Sequence, residues 1–241
     1  MALRAGRRDP HAKVGASGGT AIHLIAVLAV AWMATVSGPS VKVPRGPAPV
    51  IDGRIDSAEW AGAAVEQGAN GLTVRLRHDG TSLFLAITNR SGEGFPSICA
   101  LNGDTMRVLH ASAALGAMVY TRKGERWTSP DTAFVYAMRN TALTPAAGEE
   151  RRAYLAQHGW VASTFRMGNG RNHEIQMSLG MMDEEHRMAI GYYRTAGTPI
   201  TWPESLVANG EGCGELRLLQ GYVTSDPRFR PDLYPTLELI P

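Results

Sequence analysis

The sequence predicts an all-β protein: a jelly-roll-like, antiparallel β-sandwich of two sheets with one short inserted helix. Three observations lead to this class. Apolar and polar residues alternate along many short stretches, turn residues separate those stretches, and helical periodicity is scarce. The 27 glycines and 14 prolines suit a chain with many turns.

The alternation is clearest between residues 72 and 88. Residues 72–76 and 83–87 each place apolar side chains at every second position, and Asp79-Gly80 between them supplies a turn, so the two form a hairpin. Further strands are predicted at 97–101, 105–110, 117–120, 133–138, 160–166, 173–178, 188–193, 215–219 and 236–239.

Two stretches predict helical structure. Asp56 and Glu59 have the spacing of a capping box, which would begin a short turn that buries Trp60. Residues 149–158 contain good helix formers and are followed by Gly159, a residue typical of a helix end. This second stretch is the predicted inserted helix.

Residues 1–40 are typical of a signal peptide. A basic stretch ending at Lys13 precedes the apolar run 20–36, and small residues follow it. An uncleaved N-terminal membrane anchor is the alternative, because the run is only slightly shorter than the roughly 20 residues that span a bilayer. Both alternatives predict a periplasmic or secreted body, with a Pro-rich linker at 41–49 and the sandwich at 50–241.

The charge distribution argues against binding to nucleic acid. The formal net charge of the chain is +2. Residues 1–40 contain four basic residues and one acidic residue, so the body has 20 Lys and Arg against 21 Asp and Glu. A nearly neutral body offers no electrostatic attraction for phosphates.

The chain has two cysteines, Cys99 and Cys213. In an oxidising compartment they could form a disulfide, and closing a loop of about 100 residues is worth up to about 4–5 kcal/mol in the chain-entropy model. Two separate buried thiols are the alternative, since sequence does not show whether the two Cα atoms approach each other.

Three stretches together resemble one family. Residues 50–60 (VIDGRIDSAEW) look like the opening motif of family 9 carbohydrate-binding-module-like domains, which belong to the DOMON-like sandwiches. The hairpin at 72–89 and the later stretches 173–179, 188–193 and 201–203 follow in the family's order. The resemblance implies a β-sandwich, a secreted or periplasmic setting and a sugar-binding role. Residues 108–116 (VLHASAALG) are distinctive and match no known site.

A saccharide or polysaccharide is therefore the expected partner, recognised without catalysis. Sugars bind to flat aromatic rings and planar polar side chains, because pyranose faces are apolar and their rims are polar. Trp127 is the preferred residue because its neighbours are polar. For each aromatic taken alone, packing in the core is the competing explanation. The candidate ligand-binding residues are Trp127, Tyr120, Arg122, Arg126, Trp160, Arg194 and Trp202.

Other functions are weaker alternatives. Haem-binding DOMON-like relatives use a His and a Met as axial ligands, which makes His110 and one of ten methionines a candidate pair for electron transfer. The acidic turn at 52–59 could bind Ca²⁺, although turn and capping roles are the stronger explanation. No phosphate loop, nucleophile elbow or zinc-protease motif is present, so we expect no enzyme. An envelope scaffold that binds another protein is the third alternative.

Overall fold

The computed structural model describes residues 38–139, 144–164, 170–194, 197–206 and 212–241. Strands dominate this part of the chain, and nearly all of them pair antiparallel. The strands are β1 Ser40–Pro44, β2 Ala64–Gln67, β3 Leu72–His78, β4 Ser82–Asn89, β5 Gly94–Asn102, β6 Thr105–Ala111, β7 Ala114–Lys123, β8 Arg126–Thr128, β9 Val135–Arg139, β10 Trp160–Thr164, β11 Asn172–Ser178, β12 Met188–Arg194, β13 Ile200–Trp202 and β14 Thr236–Ile240.

Two antiparallel sheets form the sandwich. The five-strand sheet has the order β10-β11-β4-β3-β2. The seven-strand sheet has the order β13-β12-β5-β6-β7-β8, and β9 also pairs with β7. A small third sheet joins β1 to β14.

The main core lies between the two sheets. Leu76, Leu85 and Ile175 of the five-strand sheet belong to the same buried cluster as Ile98 and Ile190 of the seven-strand sheet. Because side chains alternate between the faces of a strand, each sheet supplies every second residue to this cluster. The predicted all-β sandwich is confirmed.

Both sheets are also covered on part of their outer faces. The C-terminal segment 212–235 packs on the seven-strand sheet, where Phe229 and Tyr234 join Tyr120 and Trp127 in a second cluster. The opening segment 51–63 packs on the five-strand sheet through Trp60. The predicted burial of Trp60 is confirmed.

The predicted linker at 41–49 is wrong for its first half. Val41 and Val43 are buried at alternate positions of β1, which pairs in parallel with β14. Two parallel strands cannot be joined by a tight turn, so the rest of the fold must bring β1 and β14 together. The Pro-rich sequence around β1 therefore gives no local sign that a strand forms there. The sandwich therefore begins near Ser40.

One of the two α-helices in the described residues was predicted, and the other replaces a predicted strand. Helix α1 spans Pro145–His158, with the Thr144 side chain capping its start and Gly159 in the left-handed conformation at its end. The predicted strand at 215–219 is instead the short helix α2, Leu216–Leu219. Leu218 and Leu219 are both buried, and consecutive buried residues do not fit the alternation of a half-exposed strand.

Short 3₁₀ turns occur at Ala69–Gly71, Leu179–Met181, Gly212–Gly214 and Pro231–Leu233. Within the described ranges, no helix combines the length and apolar character needed to cross a bilayer. The predicted signal or anchor falls mainly on residues 1–37, which lie outside the described residues, as do 165–166 of the predicted strand 160–166.

Candidate ligand-binding site

A row of four residues crosses the seven-strand sheet. Strand pairing places Ser97 of β5 opposite His110 of β6, His110 opposite Gly116 of β7, and Gly116 opposite Tyr136 of β9. Directly facing residues of neighbouring strands project to the same face of a sheet. The distinctive run 108–116 forms the turn between β6 and β7 and supplies the middle of this row.

Gly116 gives the row its shape. A Cβ at this position would lie 2.7 Å and 2.8 Å from two ring carbons of Tyr136. Only a residue without a side chain lets the tyrosine ring lie directly on the strand. The glycine therefore sets the position of the ring.

The C-terminal segment fixes the other end of the same ring. The Tyr136 hydroxyl donates a hydrogen bond to the Gly221 carbonyl at 3.1 Å. Gly221 has a φ of 75°, and a Cβ there would meet both the Tyr136 hydroxyl and the His110 ring. With glycines on both sides, the ring is held in place while remaining 48% exposed.

A disulfide anchors this segment to the sheet. Cys213 is bonded to Cys99 of β5, and their Cα atoms lie 5.6 Å apart. Gly191 of β12 leaves room for the Cys213 backbone and the Leu219 side chain. The segment therefore lies directly on the sheet beside the row.

An open pocket of about 480 Å³ lies beside His110 and Tyr136 of this row. Its walls are mainly apolar and aromatic, and its polar groups are few, as is usual for sites that bind small molecules. The lining residues are Phe95, His110, Ser112, Ala113, Ala114, Tyr136 and Gln220.

His110 lines the pocket and is only 2% exposed. Burial lowers the pKa of its imidazole to about 4, so the ring is neutral at physiological pH. Its Nδ1 lies 2.9 Å from the Ser97 hydroxyl. The Phe95 ring packs edge-on against it at a centroid distance of 5.1 Å.

The two aromatics predicted on the β7–β8 hairpin lie in the core, which corrects their assignment as exposed stacking residues. Trp127 is 3% exposed and packs edge-on against Phe229 at 5.4 Å. Tyr120 is fully buried against the same ring, and its hydroxyl accepts a hydrogen bond from the Thr224 backbone. Polar neighbours in the sequence suggested exposure for Trp127, but residues about 100 positions later cover it.

The two arginines of this hairpin are exposed. Arg122 donates to the Gly124 carbonyl, and Arg126 forms a 3.1 Å ion pair with Asp226. Arg122 and Trp127 both line a second cavity of about 430 Å³, whose charged residues carry both signs. This cavity is lined by Leu101, Gly103, Arg122, Glu125, Trp127, Arg187, Phe229, Arg230, Pro231 and Asp232.

The remaining predicted residues lie on other elements. Trp160 of β10 is buried against Tyr154 of α1, and Trp202 of β13 is buried in the main core, so neither presents a stacking face. Arg194 bridges the Thr198 carbonyl and the Ser91 hydroxyl at the surface. The structure does not assemble the seven predicted residues into one site.

The acidic turn considered for Ca²⁺ makes contacts with the backbone. Asp52 accepts from the Arg54 N–H and Asp56 from the Ala58 N–H, as expected of turn and capping residues. Among the described residues, no group of three His, Cys, Asp or Glu side chains is placed to hold a metal ion.

Sequence reasoning missed Phe95, Tyr136 and Gln220. Phe95 lies on β5, Tyr136 on β9 and Gln220 directly after α2, and only the tertiary fold brings these three residues together. Gly116, in the distinctive run, was the one local indication, because a glycine inside a strand often marks a close approach by another group.

The fold and the pocket define the chain as an antiparallel β-sandwich with an aromatic-lined pocket on one outer face. Comparison with protein-family models, curated proteins and solved structures finds no match. The resemblance to family 9 carbohydrate-binding-module-like domains therefore stays a hypothesis based on the sequence motifs.

Proposed function

We propose that this protein is a non-catalytic, extracytoplasmic binding module that recognises a saccharide in the pocket between Phe95 and Tyr136. The observation that carries the proposal is the ring of Tyr136, half exposed and held in place by Gly116 and Gly221. A rigid aromatic face loses little entropy when a ligand stacks on it.

The pocket has the mixed character that sugar recognition needs. Phe95 and Tyr136 offer apolar faces to the C–H groups of a sugar ring, while Gln220 offers planar polar atoms to its hydroxyls. This is the mode of binding expected from the sequence, carried by different residues. The opening motif at 50–60 supports the same function through its resemblance.

Binding is favoured over catalysis by the state of the polar residues. The Ser97 hydroxyl is buried and bonded to His110 through Nδ1, so it does not face the pocket as a nucleophile would. The disulfide supports a periplasmic or secreted location, because disulfides persist in oxidising compartments.

A glycan array probed with the full-length protein, followed by calorimetry on each hit, tests the proposal. We expect micromolar to millimolar affinity for at least one glycan, because a single small-sugar site buries little area. Retention of none of the glycans would contradict saccharide binding and favour the scaffold alternative.

Haem binding is the second candidate, and one observation favours it. His110 lies in an aromatic pocket with its Nδ1 held by Ser97, an arrangement that orients the other nitrogen of a metal-binding histidine. The described lining contains no methionine, and Met106 and Met118 belong to the buried C-terminal cluster, so a His–Met pair is not assembled there. A Soret band in the purified protein would support haem over saccharide.

A further inference from the structure

A chain of polar contacts runs from the pocket into the protein at His110. The His110 Nδ1 lies 2.9 Å from the Ser97 hydroxyl oxygen, and that oxygen lies 3.5 Å from the Leu218 carbonyl. Ser97 and His110 are both buried, so water does not compete for these contacts. The second ring nitrogen, Nε2, makes no hydrogen bond to the described part of the chain.

The contact with the Leu218 carbonyl favours one tautomer of His110. A carbonyl can only accept, and when the Ser97 hydroxyl donates its single proton to Leu218 at 3.5 Å, its oxygen is left to accept from His110 Nδ1. The imidazole then carries its proton on Nδ1. A neutral imidazole has one donor and one acceptor, which makes Nε2 an acceptor.

Nε2 is the ring nitrogen farther from the strand backbone, and His110 is one of the residues that line the pocket. The described lining contains no Lys, Arg, Asp or Glu that could pair with a charged ligand group. Placing an unpaired charge against such walls is costly, whereas a hydroxyl needs only a hydrogen-bond partner.

We infer that His110 Nε2 accepts a hydrogen bond from a hydroxyl of an uncharged ligand, and that Ser97 is the positioning residue that holds the imidazole in the required tautomer. The inference rests on the proposed function and specifies the ligand class for the same pocket. Neutral glycans should therefore bind, and acidic glycans of equal length should bind more weakly.

The tautomer is tested first, by ¹⁵N NMR of the imidazole in the full-length protein. We expect Nε2 to show the shift of an unprotonated nitrogen and Nδ1 that of a protonated one. In Ser97→Ala the acceptor for Nδ1–H is lost, so the proton should move in part to Nε2. A protonated Nε2 in the wild type would overturn the inference.

Affinity is tested with a panel of neutral oligosaccharides and matched uronate-containing ones. Ser97→Ala should weaken binding of the best neutral glycan about tenfold, the range of one hydrogen bond. Ser163→Ala is the matched control, because Ser163 is also fully buried but lies on β10 of the other sheet. It should leave both the affinity and the His110 shifts unchanged.

The outcomes separate the inference from the function it rests on. Tighter binding of acidic than of neutral glycans, or an unchanged affinity in Ser97→Ala, would overturn the inference and leave saccharide binding intact. Binding of neither class would overturn both. Should Ser97→Ala fail to fold, Ser97→Thr replaces it. This variant keeps the hydroxyl, and wild-type shifts with near wild-type affinity support the inference, whereas altered shifts contradict it.

Discussion

Tyr136 owes its orientation to residues far from it in the sequence. Its ring lies on Gly116 and its hydroxyl is bonded to Gly221, yet nearly half of its surface remains exposed. The side chain is therefore available for stacking and contributes little to the core.

Tyr136→Ala should weaken glycan binding about tenfold, because one aromatic stack is worth up to about 1.5 kcal/mol. Calorimetry measures the affinity, and the thermal midpoint should fall only slightly. Tyr136→Phe is the matched control: it keeps the ring, loses the bond to Gly221 and should keep most of the affinity. Unchanged binding in Tyr136→Ala would place the saccharide elsewhere.

Trp127 shows the opposite behaviour, since the structure makes it a core residue. Trp127→Ala should lower the free energy of unfolding by about 3–5 kcal/mol, the usual cost of removing a large buried aromatic. Urea unfolding measures this change. Tyr222→Ala, at an aromatic that is 62% exposed, is the control and should cost less than about 0.5 kcal/mol. A wild-type midpoint for Trp127→Ala would contradict the placement of Trp127 in the core.

At the scale of elements, the C-terminal segment is the part of the fold that completes the pocket. It covers the seven-strand sheet, is bonded to β5 through Cys99–Cys213 and brings Gln220 and Gly221 to the site. The disulfide joins residues 114 positions apart. Its loss should therefore affect both stability and ligand binding.

Replacing both cysteines, Cys99→Ala with Cys213→Ala, should cost about 4–5 kcal/mol of unfolding free energy in the chain-entropy model. Glycan affinity should also fall, because the segment beside Tyr136 loses its covalent anchor. The intact mass of the wild type, measured before and after reduction, shows how many hydrogens the protein gains when the disulfide is reduced. Two free thiols in the wild type purified without reductant would contradict the disulfide.

Local sequence patterns predicted where strands and helices lie better than they predicted which strands pair with each other. The alternation at 72–76 and 83–87 predicted β3 and β4, and Gly159 marked the end of α1. The pairing of β1 with β14 could not be predicted, because two short strands nearly 200 residues apart carry no local sign of each other.

The candidate site was harder to predict than the fold for the same reason. Burial of Trp127 depends on Phe229, and the pocket depends on a register that places His110 beside Gly116 and Tyr136. A stacking residue and a core residue have the same side chain, and only long-range packing separates them.

The stability of the whole molecule should depend on pH through Glu174, which ties the opening segment to the five-strand sheet. Its carboxylate accepts hydrogen bonds from the Trp60 indole at 2.8 Å and from the Asp52 and Gly53 backbone at 3.1 Å and 2.8 Å. Burial nevertheless raises the pKa of Glu174 to about 7. The three hydrogen bonds lower this pKa, and the charge of Asp52 raises it slightly further, so burial is the largest effect.

A carboxyl whose pKa is raised on folding stabilises the protein fully below its unfolded pKa of 4.5, and this contribution is lost as the pH rises through 7. Buried His110 and His173, with pKa values lowered to about 4, act in the opposite direction: their neutral state costs stability as the pH falls from 6.5 to 4. Wild-type stability should therefore be greatest near neutral pH.

Glu174→Gln isolates the carboxyl, because the histidines remain in both proteins. Between pH 4.5 and 7 the wild type should lose stability relative to the variant by about 1.4 kcal/mol per pH unit, the value for one proton. Urea unfolding at several pH values measures the difference, and any constant offset from the altered hydrogen bonds cancels in the slope. A difference that instead changes only below pH 4.5 would mean that the three N–H donors outweigh burial and that Glu174 is ionised in the folded protein.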